Sequence, residues 1–206
     1  MNKKKKISDT HRRILDCAEK LFAKHGYDGT STRQIASAVG ISIQTLHYHC
    51  ESKLKLYNSV IQRCIIPITN IINVHVEEML EDNETLKDRI GMVIDDVFDE
   101  FFKNSNYPLL LFRQWLEQDR DLRKVEWDRL VPAIRLWAKN IESRVEENQE
   151  SGIDTQLLFL SLSWMYWGLF VNPQLIGDLL GLDPESPEFI ERLKRHAKGM
   201  TAQVIN

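Results

Sequence analysis

Residues 31–53 read STRQIASAVGISIQTLHYHCESK, and this stretch decides the fold of the N-terminal part of the chain. Ser31 and Gln34 have the spacing of a capping box, which predicts a short helix that ends at Gly40. Ser42 can cap the next helix, so that only a short turn separates the two. A turn this tight forces the helices to cross sharply. The stretch therefore predicts a helix-turn-helix.

The side chains of this stretch meet the packing demands of two closely crossed helices. Ala36 supplies a small residue four positions before the turn glycine, and apolar residues can pin both helices from inside: Ile35, Val39, Ile41 and Leu46. If Leu46 points inward, then Gln44, Thr45 and Tyr48 share one outward face of the second of these helices. We expect that face to be the recognition surface.

The outward side chains have the chemistry to read double-stranded DNA. Glutamine bridges N6 and N7 of adenine, and threonine or tyrosine packs against thymine methyl groups. Arg33 can reach guanine or phosphate, while Lys53, at a helix start with exposed backbone N–H groups, suits a phosphate. His47 and His49 are further candidates for phosphate contacts. The predicted DNA-binding residues are Arg33, Ser42, Gln44, Thr45, His47, Tyr48, His49 and Lys53.

The charges are divided unevenly along the chain. Residues 1–55 carry 11 basic and 5 acidic side chains, a net +6, whereas the rest carries 16 basic and 25 acidic ones, a net −9. Such a split indicates that only the front end meets phosphates. The alternative is that the run from Lys3 to Lys6 is merely a disordered, solubilising tail.

Taken together, the motifs of the first quarter resemble the signature of the tetracycline-repressor (TetR) family. The motifs are Ile14-Leu15, Ala18, Leu21-Phe22, Gly26-Tyr27, Thr30-Ser31, Ile35-Ala36, Gly40-Ile41-Ser42, Thr45-Leu46 and Ser52-Lys53. The remaining chain matches only in being helical and of suitable length. The resemblance implies a dimer on a palindromic operator, released from DNA when a ligand binds the C-terminal domain. Gln44, His47 and Cys50 depart from the family, which has Gly or Pro, a phosphate-contacting Tyr, and Phe at these positions.

Apolar residues recur at helical spacing in nearly every segment, and no strand-like alternation is sustained. The sequence therefore predicts an all-α protein, with an N-terminal three-helix helix-turn-helix DNA-binding domain followed by a helical-bundle ligand-binding and dimerisation domain. The expected divisions are a basic flexible tail at 1–8, the DNA-binding domain at 9–55 and the ligand-binding and dimerisation domain at 56–206. The other predicted helices are Asp9–His25, one capped by Ser52 that Pro67 bends or breaks, one that carries Val93, Ile94, Val97, Phe98, Phe101 and Phe102, and then Trp127–Glu147, Asp154–Phe170 and Pro187–Gln203.

The stretch from Leu157 to Phe170 is apolar on nearly all sides, and such a helix needs cover on both faces. We expect a homodimer through this helix and the last one, with interface residues Leu160, Trp164, Trp167, Ile190, Leu193 and Ala197. The aromatic residues of the C-terminal part can line a pocket for an apolar or aromatic small-molecule effector. The candidates are Phe98, Phe102, Trp115, Trp137 and Met165, and the alternative is that they form core or dimer interface.

Several classes of function and location are disfavoured. The chain has no GxSxG, GxxxxGK[ST], GxGxxG or HExxH motif, so we expect neither an enzyme nor a cofactor. We expect no metal site, because only His47 and Cys50 have a spacing that could chelate. The acidic group Asp95, Asp96, Asp99 and Glu100 is interpreted as a solvated helix face. Three cysteines without CxxC spacing, no secretory signal and no membrane-length apolar run predict a reduced, cytoplasmic protein outside the membrane.

The function that the sequence predicts is a sequence-specific, DNA-binding transcriptional regulator, most consistent with a ligand-released repressor. Two alternatives share the N-terminal features. One is a DNA-binding protein with a nucleoid or cell-division role, and the other is an activator that requires its ligand. A genome-wide binding map distinguishes the first of these from a local repressor.

Overall fold

The computed structural model describes residues 2–81, 84–116, 119–146 and 155–205. Within these residues every regular element is helical, which confirms the all-α fold class. A π-helical turn at Glu126–Leu130 precedes the seventh α-helix. The helices are α1 (Asn2–His25), α2 (Thr32–Val39), α3 (Ile43–Cys50), α4 (Lys53–Glu81), α5 (Leu86–Lys103), α6 (Asn106–Leu116), α7 (Val131–Glu146), α8 (Thr155–Val171), α9 (Pro173–Leu180) and α10 (Pro187–Ile205).

The first helix begins at Asn2, seven residues before the expected start at Asp9. The lysine run that we expected to lie in a flexible tail is therefore part of α1. Lysine is a good helix former, and neither glycine nor proline interrupts the chain before Gly26, so nothing in the local sequence ends the helix earlier. At the other end, Gly26 adopts a φ of 74° and stops the helix, as expected.

The fourth helix is unbroken at Pro67, so that of the bend or break that we expected there, the break is absent. Proline removes one backbone hydrogen bond and crowds the preceding turn. Here the apolar packing on both sides holds the two halves together, because four isoleucines around the proline are buried: Ile61, Ile65, Ile68 and Ile72. A single α4 therefore runs from the helix-turn-helix far into the rest of the protein.

Two short helices, α6 and α9, were not predicted. Pro108 lies in the first turn of α6, where a missing N–H has no intrahelical partner to lose. Pro173 is the first residue of α9, and the side chain of Asn172 caps that helix by accepting from Leu175 N at 3.1 Å. Prolines at helix starts thus initiate structure here rather than ending it.

The acidic group on α5 keeps much of its exposure to solvent, as expected, since the Asp96 and Asp99 side chains are 54% and 64% exposed, but its carboxylates also form ion pairs that we did not expect. Lys198 Nζ lies 2.8 Å from Asp95 Oδ2, Lys194 Nζ lies 2.5 Å from Asp99 Oδ1, and His75 Nε2 lies 2.9 Å from Asp96 Oδ2. The reason is that α5 packs between α4 and α10, so that cationic side chains from both neighbours meet its flanks. These contacts pair the charges at the edges of a face that remains partly exposed to water.

The C-terminal end of α1 is held by a side chain from α6. Arg113 Nε donates to Ala23 O at 3.0 Å, and its Nη2 donates to Lys24 O at 3.3 Å. The last carbonyl groups of a helix have no intrahelical donor and attract positive charge. Nearby, Asn106 Nδ2 donates to Glu19 Oε1 at 3.1 Å. Together α6 and α4 fix the helix-turn-helix against the C-terminal helices.

Candidate nucleic-acid interface

Local hydrogen bonds shape α2 as its sequence predicts. Ser31 Oγ accepts from Gln34 N at 3.2 Å, and Ser31 N donates to Gln34 Oε1 at 2.7 Å, which completes the capping box. Gly40 ends the helix with φ 74° and ψ 38°, and the next N–H, of Ile41, donates to Ala36 O at 3.0 Å. The turn between α2 and α3 is thus closed by backbone bonds that require a left-handed residue.

Replacing Gly40 with alanine is expected to lower the free energy of unfolding by about 1 to 2 kcal/mol, the cost of placing a Cβ in left-handed backbone. A Cβ at Gly40 would meet no atom within 4 Å, so the whole effect comes from the backbone. Urea denaturation measures it. Gly91→Ala, inside α5 with its Cβ 3.5 Å from the Lys198 side chain, is the matched control and should be neutral or stabilising. Equal effects of the two substitutions would contradict the turn assignment.

One side of α3 is anchored in the core. Leu46 is fully buried, as predicted, and Cys50 is buried one turn later. Burial raises the pKa of the Cys50 thiol to about 11, so the group is a neutral packing element at physiological pH. At the other end of the helix, Ser42 Oγ accepts from Thr45 N at 3.1 Å and lies 2.9 Å from Thr45 Oγ1.

The opposite side of α3 faces solvent. Gln44, His47 and Tyr48 are exposed, Tyr48 by 74%, and Arg33 is exposed on α2. Thr45 is half-buried, and its hydroxyl already contacts Ser42. Gln44 and Tyr48 are four residues apart and therefore share one face of the helix. Both side chains are therefore available to a partner that approaches this face.

His49 lies apart from that face. It is half-buried, and its ring centroid is 6.2 Å from that of His11 on α1 and 5.4 Å from that of Tyr48. His47 is exposed with its Nδ1 3.4 Å from Glu51 O, a long contact near the end of α3. Because His47 faces solvent and Cys50 faces the core, the two do not converge as metal ligands. Among the described residues, no three His, Cys, Asp or Glu side chains gather in a metal-binding arrangement.

A lysine and a tyrosine meet at the start of α4. Lys53 Nζ lies 4.0 Å from the centroid of the Tyr27 ring, a cation–π contact that orients the ammonium group. Ser52 Oγ accepts from Lys55 N at 3.2 Å and caps the helix, as predicted. Tyr27 was part of the resembling motif but was not assigned a role, since only the folded chain brings it to Lys53.

A strained turn joins α3 to α4. Glu51 has φ 54° and ψ −57°, the only positive φ of a non-glycine residue in the described ranges, and Ser52 N donates to Cys50 O at 2.5 Å. This is a γ-turn of the rare, strained type. The Glu51 carboxylate forms an ion pair with Lys55 on the first turn of α4. The turn sets the angle between the exposed helix and the long α4, and no sequence signal predicted it.

Three of the predicted effector-pocket residues, Phe98, Phe102 and Trp115, belong to one network of aromatic contacts that runs through Phe170, Phe101 and Trp167. Phe98 and Trp137 are each 1% exposed and belong to the core, where the Phe98 ring lies 4.7 Å from Phe170 and 6.4 Å from Phe102. The Trp115 ring lies 4.7 Å from Trp164 and 4.5 Å from Trp167. Met165 is 38% exposed. The assignment of these residues to an effector pocket stays a prediction.

The predicted interface residues fall into two groups. Trp167, Leu193 and Ala197 are buried within their own chain, so their side chains are already covered and are not available to a second copy. Ile190 is half-buried. Leu160 and Trp164 are exposed on α8, together with Leu157. Any contact between two copies through α8 therefore uses this exposed group. None of the described helices combines the length and the hydropathy that crossing a membrane requires.

The N-terminal helices match a known family. The family model described as "Bacterial regulatory proteins, tetR family" matches residues 14–60. Over 60 residues the chain is 40% identical to the biofilm operon icaADBC HTH-type negative transcriptional regulator IcaR of Staphylococcus aureus (strain Newman). That stretch is 29% of this chain and spans only 32% of IcaR's own length.

Other similarities extend over nearly the whole chain. The uncharacterized HTH-type transcriptional regulator YerO of Bacillus subtilis (strain 168) is 27% identical over 208 residues, covering 97% of this chain and 68% of YerO. The crystal structure of the TetR family transcriptional regulator PfmR from Thermus thermophilus superposes with a TM-score of 0.66 at 18% identity, covering 90% of this chain and 94% of PfmR. Residues 14–60, which include α2 and α3, thus match the model of the tetR family of bacterial regulatory proteins, and the whole chain is similar in fold to a TetR family regulator.

Proposed function

We propose that the protein is a sequence-specific transcriptional repressor that binds a palindromic DNA operator as a homodimer and is released by a small-molecule ligand. The observation that carries the DNA-binding part is the two-sided character of α3. Leu46 and Cys50 fix the helix to the core, while Gln44 and Tyr48 are exposed to solvent on the opposite side. Such a helix is free to enter a major groove.

Each exposed group has a distinct task in this arrangement. Gln44 reads an adenine edge near the N-terminal end of α3, and Tyr48 packs against a thymine methyl group one turn later. Lys53, oriented by Tyr27, binds a phosphate together with the backbone N–H groups at the start of α4. Arg33 extends the contact from α2. The net +6 of residues 1–55 attracts DNA at long range without selecting a sequence.

Repression is the direction that the comparisons favour. IcaR, which is similar over the helix-turn-helix, carries the name of a negative transcriptional regulator. A repressor needs only to occupy its operator and block a promoter, and the DNA-binding surface supplies that function alone. A ligand-requiring activator, or a nucleoid or cell-division role, would instead show operator binding that depends on ligand or binding sites spread over the chromosome.

A homodimer with two-fold symmetry matches a palindromic operator. Two recognition helices read two half-sites about 34 Å apart when a two-fold axis relates them. The exposed apolar side chains of α8, which include Leu160 and Trp164, support pairing of two copies through this helix. A ligand that favours a different spacing of the two α3 helices then weakens DNA binding by linkage.

The first experiment is selection of bound sequences from a random duplex DNA pool by the purified protein at physiological salt. The expected result is an enriched inverted repeat whose half-sites lie about one helical turn apart. If no sequence is enriched and the protein binds DNA only weakly and in a salt-dependent way, the proposal is contradicted. The basic residues of the N-terminal part would then bind DNA without selecting a sequence.

Substitutions on the exposed face should separate base reading from phosphate binding. Gln44→Ala is expected to cost about 1 to 3 kcal/mol at one base pair of each half-site, because it removes a bidentate adenine contact. Lys53→Ala should weaken binding to all sequences and reduce the slope of log K against log salt by about one per half-site. Fluorescence anisotropy with the selected operator and single-base variants measures both.

Lys87→Ala is the control for the loss of charge, since Lys87 is an exposed lysine on α5 away from the proposed interface. It should leave operator affinity and salt slope unchanged. If Gln44→Ala and Lys53→Ala weaken all sequences to the same extent, the proposed orientation of α3 on DNA is wrong.

A further inference from the structure

A polar groove of about 460 Å³ lies between the first part of α4 and the π-helical turn before α7. Its size falls within the range of small-molecule sites. Asn58, Ser59 and Gln62 line it from α4, and the facing wall carries three charged side chains: Lys124, Asp128 and Arg129. None of these residues belongs to the proposed DNA surface, and none was singled out by the sequence.

The cationic wall of the groove has unused hydrogen-bonding capacity. Gln62, in the amide orientation that satisfies both groups, accepts from Arg129 Nη2 at 2.9 Å and from Nε at 3.2 Å. This holds the guanidinium in place while leaving its Nη1 donors. In the described part of the chain, neither Nη1 nor the Lys124 ammonium group meets a carboxylate within ion-pair distance. Two cations that line the same groove without an ion pair among the described residues offer a site for an anion.

The α4 wall supplies neutral polar groups. The Asn58 Oδ1 atom is buried and has no hydrogen-bond partner among the described residues. If the side chain rotates so that this oxygen accepts from a ligand, no existing hydrogen bond at the oxygen is lost. Ser59 Oγ donates to Lys55 O at 2.9 Å and keeps its lone pairs. Asp128, on the facing wall, adds a carboxylate acceptor. The groove therefore combines cations that can bind an anion with oxygen atoms that can accept from hydroxyl groups.

The wall opposite α4 is a π-helical turn, Glu126–Leu130. Such turns are uncommon and frequently occur at functional sites. Here the wider turn carries Asp128 and Arg129 on its exposed side, while Glu126 and Leu130 are buried beneath it. Buried residues on both ends of the turn hold the charged side chains at the groove.

We propose that this groove binds an organic phosphate that carries hydroxyl groups, such as a sugar phosphate, and that this ligand alters the affinity for DNA. Lys124 and Arg129 bind the phosphate, while Asn58 and Asp128 accept from the hydroxyl groups. The effect on DNA rests on the proposed function. It follows from the position of Asn58, which lies about 7.5 Å along α4 from Lys53 at 1.5 Å per residue.

A bound ligand that bridges α4 to the π-helical turn fixes α4 relative to the C-terminal helices. Because α4 is continuous from Lys53 through Pro67, a shift at the groove reaches the strained turn at Glu51 and the exposed face of α3 without an intervening hinge. A ligand that binds more tightly to one position of α4 shifts the protein toward that position.

Calorimetric titration of the full-length protein without DNA tests the site. The probes are glucose 6-phosphate, glycerol 3-phosphate and 3-phosphoglycerate. The controls are glucose, which lacks the phosphate group, and inorganic phosphate, which lacks the hydroxyl-bearing carbon chain. At least one probe should bind with a Kd of about 1 mM or tighter and about tenfold better than either control. Lys124→Gln should weaken that binding about tenfold, and Lys139→Gln, an exposed lysine on α7, should not change it.

No saturable binding of any probe, or equal binding by Lys124→Gln and Lys139→Gln, would overturn the site. The second arm measures affinity for the selected operator with and without the bound probe. We expect a change of about fivefold or more that Lys124→Gln removes. Binding without that change overturns the coupling to DNA. If no operator can be selected but the probe binds, the site stands and the proposed function falls.

Discussion

Replacing Trp137 with alanine is expected to lower the free energy of unfolding by about 3 to 5 kcal/mol, because it opens a large cavity in the core. Trp137 is 1% exposed on α7 and is the largest fully buried side chain in the described part of the chain. For a chain of this length, about 2 to 4 °C per kcal/mol gives a fall in Tm of roughly 6 to 20 °C. Urea denaturation and calorimetry measure the two quantities.

Trp127→Ala is the matched control. Trp127 lies ten residues earlier, in the π-helical turn, and is 51% exposed with the Arg123 guanidinium 5.5 Å from its ring. Its loss should cost less than about 1 kcal/mol. Trp137 was a sequence candidate for an effector pocket, and the experiment separates the two roles. A cost for Trp137→Ala as small as that of the control would mean that it lines an open space rather than a packed core.

Leu160→Glu is expected to convert the proposed dimer into a monomer and to weaken operator binding about 100-fold or more. The reason is that the two half-sites are then bound by two separate monomers instead of by one dimer. Leu160 is exposed on α8 within the apolar group that we assign to the contact between copies. A carboxylate there would be desolvated without a partner. Light scattering at micromolar concentration gives the mass, and anisotropy gives the affinity.

Leu179→Glu introduces the same charge at a leucine that is 74% exposed on α9. This variant should keep the mass and operator affinity of the original chain. A Leu160→Glu protein that remains dimeric would place the two-fold axis elsewhere. A monomeric parent protein would contradict the proposed assembly altogether.

The helix-turn-helix was predictable because its determinants are local. Ser31 and Gln34 cap each other across one helical turn, and Gly40 donates to carbonyl groups of the turn just before it, as the spacing indicates. Leu46 inside and Tyr48 outside follow from helical periodicity alone. The family resemblance rests on the same short segment, which explains why sequence and comparisons agree there.

Other features depend on partners far away in sequence. Arg113 meets α1 across 90 residues, and Lys194 meets Asp99 across 95, so nothing near the acidic group on α5 indicated that it would be paired. The same holds for the interface prediction, since the apolar character of Trp167 and Leu193 does not reveal whether their own chain or a second copy covers them. The groove joins α4 to a segment more than sixty residues later and has no local motif.

The bond from Arg113 to the end of α1 has a consequence for building chimeric regulators. A designer who grafts the first 55 residues onto another sensor would leave Ala23 O and Lys24 O without their donor unless the recipient supplies an arginine at the equivalent position of its own sixth helix. The graft boundary that the chain order suggests is therefore not the boundary that the hydrogen bonds respect. A chimera that also carries α6 from this chain keeps the Arg113 donor together with its acceptors on α1, so that the DNA-binding helices are transferred with the side chain that stabilises them.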